Sequence, residues 1–249
     1  METFKWDGSF IDNLNIISVI KIQRTKYWAI KLNNYVVYCE VRASRNLFPV
    51  IVDEIKPLFG LKKLGTHWCY QNGIKYILTQ ANINNNGDII QNTLLKDFSL
   101  TDQTNNTLIN EIRKIFVFKD ILGVNKNDES HIIIIKNENN CFPISYMESI
   151  VTDSNSTIST AILEKWFIDI NIDDIVKDMT NIENGDQVLD KIYNIHDNIV
   201  SIIEKMDRNL ITFADLIRSR LLIRLQSCFK YMKEYQVCPK PSNNILIYF

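Results

Sequence analysis

The chain has 249 residues, enough for one two-lobed domain or two small ones with a sizeable core. Its 46% hydrophobic and 23% charged residues are ordinary for a globular protein, and a net charge of -1 argues against nucleic acid or a polybasic membrane contact as a general partner. No apolar run approaches the roughly 18 residues of a membrane span, and the start M-E-T-F-K-W-D-G has neither region of a signal peptide.

A cytoplasmic protein is therefore expected. Its five cysteines are scattered, odd in number and without a C-x-x-C, which predicts reduced thiols rather than a disulfide framework. Ile and Asn are strongly over-represented. AT-rich coding favours both, as in the genomes of large DNA viruses and some protists.

In chain order, I-I-S-V-I-K-I-Q-R, Y-W-A-I-K-L and Y-V-V-Y-C-E-V-R between residues 16 and 42 read as three strands joined by tight turns. An antiparallel sheet opens the protein. Val52, Ile55 and Phe59 share one face of a short helix, with Pro49 in its first turn and Pro57 weakening its end. H-W-C-Y-Q-N-G-I-K-Y-I-L-T-Q is a hairpin around Asn72-Gly73. Residues 81–106 are rich in Asn, Asp and Thr and read as a connector between residues 1–80 and 107–249, with one short element near Ile89 to Leu95.

Leu108, Ile112, Ile115, Phe116, Lys119 and Leu122 recur at the spacing of one helical face, and Gly123 stands where the helix should stop. Val117, Phe118 and Ile121 make its second half apolar nearly all round, which predicts a helix buried on several sides. V-N-K-N-D-E-S follows as a polar loop, then H-I-I-I-I-K-N-E-N-N-C-F-P-I-S-Y-M-E as a hairpin.

A buried helix, a polar loop and a hairpin, preceded by strands, one helix and another hairpin, resembles the order found in protein kinases. The resemblance implies an α+β, two-lobed, kinase-like fold: an N-terminal antiparallel sheet with one helix, then a mostly helical C-terminal lobe with a central β-hairpin. It places Lys126 where the family has its catalytic Asp, His131 at the metal-ligating Asn, and Ser145 near the metal-binding Asp. Arg42 or Lys31 stands for the phosphate-holding Lys of the third strand, and Glu54 for the helix acid that pairs with it. No G-x-G-x-x-G precedes the strands.

The implied activity is therefore that of a catalytically degenerate binding or scaffolding protein, with ATP as the implied cofactor and a protein as partner. An active atypical phosphotransferase would need Asp128 as base and Glu148 as metal ligand. The third alternative is an unrelated α+β interaction module, such as a viral assembly component.

Past the hairpin, Asp169, Asp173, Asp174, Asp178, Glu183 and Asp186 gather without the spacing of a Ca²⁺ loop, so a solvated acidic helix face is expected. Val188, Ile192, Ile195, Ile199, Ile202 and Ile203 stripe one helix. Thr212 and Asp215 predict a capped start for the last helix, which carries Arg218, Arg220, Arg224, Lys230 and Lys233 as a solvated cationic face. His67, His131 and His196 have no metal-ligand spacing, so no metal site is expected.

Overall fold

The computed structural model describes residues 16–23, 26–32, 36–44, 47–71, 74–81, 93–99, 106–124, 129–137, 140–145 and 158–228. Three β-branched, aromatic-rich runs form strands β1 (Ile16–Lys21), β2 (Tyr27–Leu32) and β3 (Val36–Ala43). A helix α1 (Phe48–Ile55) follows, then the hairpin β4 (Thr66–Gln71) and β5 (Ile74–Gln80). All pair antiparallel in the order β1-β2-β3-β5-β4, so α1 crosses between the third strand and the edge of the sheet.

Pro49 occupies the first turn of α1, where no amide donor is missed. Pro57 acts as expected at the other end. The α-helix tightens into a 3-10 turn over Lys56–Phe59, and Gly60 closes it at φ 69°. Gly60 N and Leu61 N donate to the carbonyls of Pro57 and Lys56, which satisfies the last carbonyls.

The second part is mainly helical, around a small sheet. Strand β6 (Thr93–Leu94) pairs with β7 (Ile132–Asn137), which pairs with β8 (Asn140–Ser145). Of the short element expected at Ile89 to Leu95, the described part, Thr93–Leu94, is an edge strand of this sheet. Helix α2 (Asn106–Leu122) buries residues on all sides of its second half, Phe116, Val117 and Phe118 included. It is followed in the chain by α3 (Thr160–Trp166), α4 (Ile172–Thr180), α5 (Val188–Met206) and α6 (Ile211–Cys228). The architecture is α+β and two-lobed, with an N-terminal antiparallel sheet and one helix, and a C-terminal helical part around a hairpin.

Two features of the last helices differ from the pattern expected from sequence. Helix α6 is entered through a 3-10 turn at Arg208–Leu210 capped by Asp207, so Thr212 lies inside the helix. Asp215 instead meets His196 Nε2 at 3.1 Å and Arg218. Nor do the described arginines of α6 form a free cationic face. Arg224 donates twice to Asp120 Oδ2, at 3.1 and 2.6 Å, and Arg220 donates to the Ile121 carbonyl at 3.2 Å. The acidic segment is solvated as expected, Asp178 and Asp169 staying largely exposed while they pair with Lys114 and Arg113.

A candidate ligand cleft and the ion pair behind it

Across β2, β3 and β5, Tyr27 lies opposite Glu40 and Glu40 opposite Thr79, so the period-two alternation puts all three on one face of the sheet. That face roofs a cleft of about 480 Å³ whose floor is Leu94, Ser130, His131 and Ile133. The volume is in the range of small-molecule sites. The lining is mainly polar, with Leu64, Leu94 and Ile133 as its aliphatic part, and Lys26 pairs with Glu40 at 2.7 Å on the sheet side.

The floor is held from below. Glu129, one residue before Ser130, accepts from Trp166 Nε1 at 2.8 Å and Lys165 Nζ at 2.7 Å, and so fastens the loop exit to α3. Trp166 in turn packs against Phe116 of α2, with ring centroids 6.1 Å apart. The buried second half of α2 thereby positions Ser130 and His131.

Behind the cleft lies a buried ion pair. Asp53 of α1 and Lys56 at its C-terminal end are 2% and 3% exposed, with Lys56 Nζ 2.8 Å from Asp53 Oδ1. The carboxylate also accepts from the amides of Leu64 at 2.7 Å and Thr66 at 2.8 Å. The ammonium donates to the carbonyl of Ser145 at 3.0 Å. Burial acts to raise the Asp53 pKa, but the Lys56 charge and the two amides outweigh it and hold the carboxyl below its ordinary value. Burial pulls the Lys56 pKa down despite the Asp53 charge. Both oxygens of Asp53 are engaged, Oδ1 by Lys56 and the Leu64 amide and Oδ2 by the Thr66 amide, so this carboxylate serves structure and is not poised as a base.

The residues singled out from sequence fall in different places. His131 lines the cleft. Arg42 and Ser145 come together beside Lys56 around a small internal space. Lys31 is exposed on β2, on the cleft face but four residues, or roughly 13 Å, along the strand from Tyr27. Glu54 is not brought to Arg42 or Lys31; it pairs with Lys63 toward solvent. The helix acid facing the cleft side is its neighbour Asp53, and its partner is Lys56 at the start of the 3-10 turn that follows α1. Asp128, Lys126 and Glu148 lie outside the described residues.

Asp53 and Lys56 carried one signal in the sequence: an acid and a base at i, i+3 where the run around them, Val50, Ile51, Val52 and Ile55, is apolar apart from Glu54. Other chemistry finds little support. Cys141 pairs with Lys136 at the far end of the hairpin from His131, about 16 Å along the strand. Burial pushes the Cys39 thiol up to about 12, which keeps it protonated. Among the described residues no three His, Cys, Asp or Glu side chains form a metal-holding group, and no helix is long and apolar enough to cross a membrane.

No protein-family model matches the sequence, and no curated protein matches it. Among solved structures, the chain is similar to one from Shewanella oneidensis MR-1, described as a toxin antitoxin system of HipA, HipB and its operator DNA complex. The TM-score is 0.44 and the identity 10%, over 88% of this chain and 65% of that one.

Proposed function

We propose that the chain is a catalytically degenerate kinase-like protein that binds a small polar ligand, ATP by the resemblance, in the cleft between its sheet and hairpin, and acts in the cytoplasm by docking a protein partner. The observation that carries this reading is the grip of Lys56 on Ser145. At the position where a kinase would present a metal-binding carboxylate stands a serine, 2% exposed, with its carbonyl held by the Lys56 ammonium. A neutral hydroxyl gives a hard divalent cation none of the charge its usual carboxylate ligands supply. The ion pair that could have served phosphate is consumed in joining α1 to the hairpin. Such a link favours a fixed body that binds over a hinged one that turns over.

A second reading has one observation in its favour. Asp128 precedes by two residues Ser130, which lines the cleft. An atypical phosphotransferase would use Asp128 as base and Glu148 as metal ligand.

Thermal unfolding with ATP, with and without Mg²⁺, separates the two. A ligand at about 100 times its Kd stabilises the native state by roughly 2.7 kcal/mol. The binding reading expects a shift with ATP that Mg²⁺ does not increase and that Asp128→Ala leaves intact. A shift that requires Mg²⁺, together with turnover abolished by Asp128→Ala, would replace it with the phosphotransferase. No shift with either would remove ATP and leave the protein partner to be found by direct capture.

A further inference from the structure

The small internal space behind the cleft is lined by Arg42, Lys56, Thr66 and Ser145, and shares Leu64 and Thr79 with the cleft wall. Its volume is about 10 Å³, against the roughly 10–15 Å³ that a single water needs. Two of its polar groups have unused hydrogen-bonding capacity. The Ser145 hydroxyl is buried and finds no protein partner. The Lys56 ammonium has three donors, of which one goes to Asp53 and one to the Ser145 carbonyl. A buried hydroxyl left without a partner is destabilising, and buried polar groups in native proteins are satisfied by protein or by ordered water.

We propose that this space is a binding site for one structural water, which accepts from Lys56 Nζ and exchanges hydrogen bonds with the Ser145 hydroxyl. The water completes the link between α1 and the hairpin: Lys56 holds the Ser145 residue by its carbonyl directly and by its hydroxyl through the water. Because Thr66 lies opposite Thr79 across β4 and β5, the two threonines place a polar wall on the sheet side of the same space. The site stands behind the cleft and does not depend on what the cleft binds.

Two measurements on the full chain test the site. Ser145→Ala keeps the backbone carbonyl that Lys56 holds and removes only the hydroxyl. If the water is present, the variant strips it of a partner, and Tm falls by about 2–4 °C, the shift expected per kcal/mol for a chain of this size. If the hydroxyl has no partner, deleting it relieves a penalty, Tm rises, and the proposal fails. A crystal structure is expected to show one density peak 2.7–3.2 Å from both Ser145 Oγ and Lys56 Nζ. No peak, or a peak with the anomalous signal of bromide after halide exchange, overturns the proposal.

Discussion

Lys56→Met would leave Asp53 charged, buried and without its ion-pair partner. Breaking a buried pair from one side costs about 3–5 kcal/mol, and urea unfolding of this variant should fall in that range. The pH dependence carries a separate signature. Because the folded pKa of Asp53 lies below its ordinary value of 3.8, its contribution to stability is complete above that value and is lost as pH falls through the lower, folded pKa. Removing Lys56 takes away the charge that holds the carboxyl low and leaves burial to raise its pKa, so the loss of stability between pH 3.8 and the folded pKa should shrink or reverse in Lys56→Met relative to the unmodified chain. Identical acid limbs in Tm against pH would mean that the two amides alone set the Asp53 pKa. Asp120 has the opposite sign. Burial, only partly offset by Arg224 and Arg220, raises its pKa, so its contribution favours the fold below 3.8 and is lost as pH rises through the folded value.

Helix α2 ends through a left-handed glycine, and the way that end is used distinguishes it from the other helix ends. Gly123 has φ 74°, and its amide and that of Val124 donate to the carbonyls of Asp120 and Lys119. A Cβ on Gly123 would overlap the Arg220 guanidinium, which caps the Ile121 carbonyl from α6. Gly60 has a similar φ of 69°, but a Cβ there would meet nothing within 4 Å. Gly60→Ala should therefore cost only the left-handed penalty of about 1–2 kcal/mol, whereas Gly123→Ala should add about 1 kcal/mol for the displaced Arg220. Equal losses in paired urea titrations would show that Arg220 relocates freely. Gly123 as the helix stop was legible in the sequence, as were the strands, α1 with its two prolines, the buried half of α2 and the stripe of α5, because each rests on local periodicity and turn chemistry. The site was less legible. Lys56 meets Ser145 across 89 positions, and only packing decides that Asp53 turns inward while Glu54, one residue on, turns to Lys63. The arginines of α6 resembled a solvated face because their partners, Asp120 and the Ile121 carbonyl, lie on another helix.

At the scale of the whole molecule, the helix of the small lobe is the piece that both lobes bury. Val50, Ile51, Val52, Ile55 and Phe59 belong to the same continuous core as Phe116 and Phe118 of α2, Ile199 of α5 and Leu221 of α6. Phe48 meets Phe213 with ring centroids 4.5 Å apart, and Phe59 meets Phe118 at 5.2 Å. A sheet whose covering helix is shared in this way loses its own apolar cover when the helical part opens, so the two parts should unfold together. Far-UV circular dichroism follows mainly the helices, while in a Trp6→Phe, Trp166→Phe background the fluorescence of Trp28 and Trp68 reports from the sheet. The two probes should give coincident urea transitions. Phe213→Ala, at about 3–5 kcal/mol for a buried aromatic, should move both transitions by the same amount without separating them. If the fluorescence transition stayed in place while the dichroism transition moved, the sheet would hold its fold without α6, and the shared helix would be a contact between two independent units rather than the centre of one.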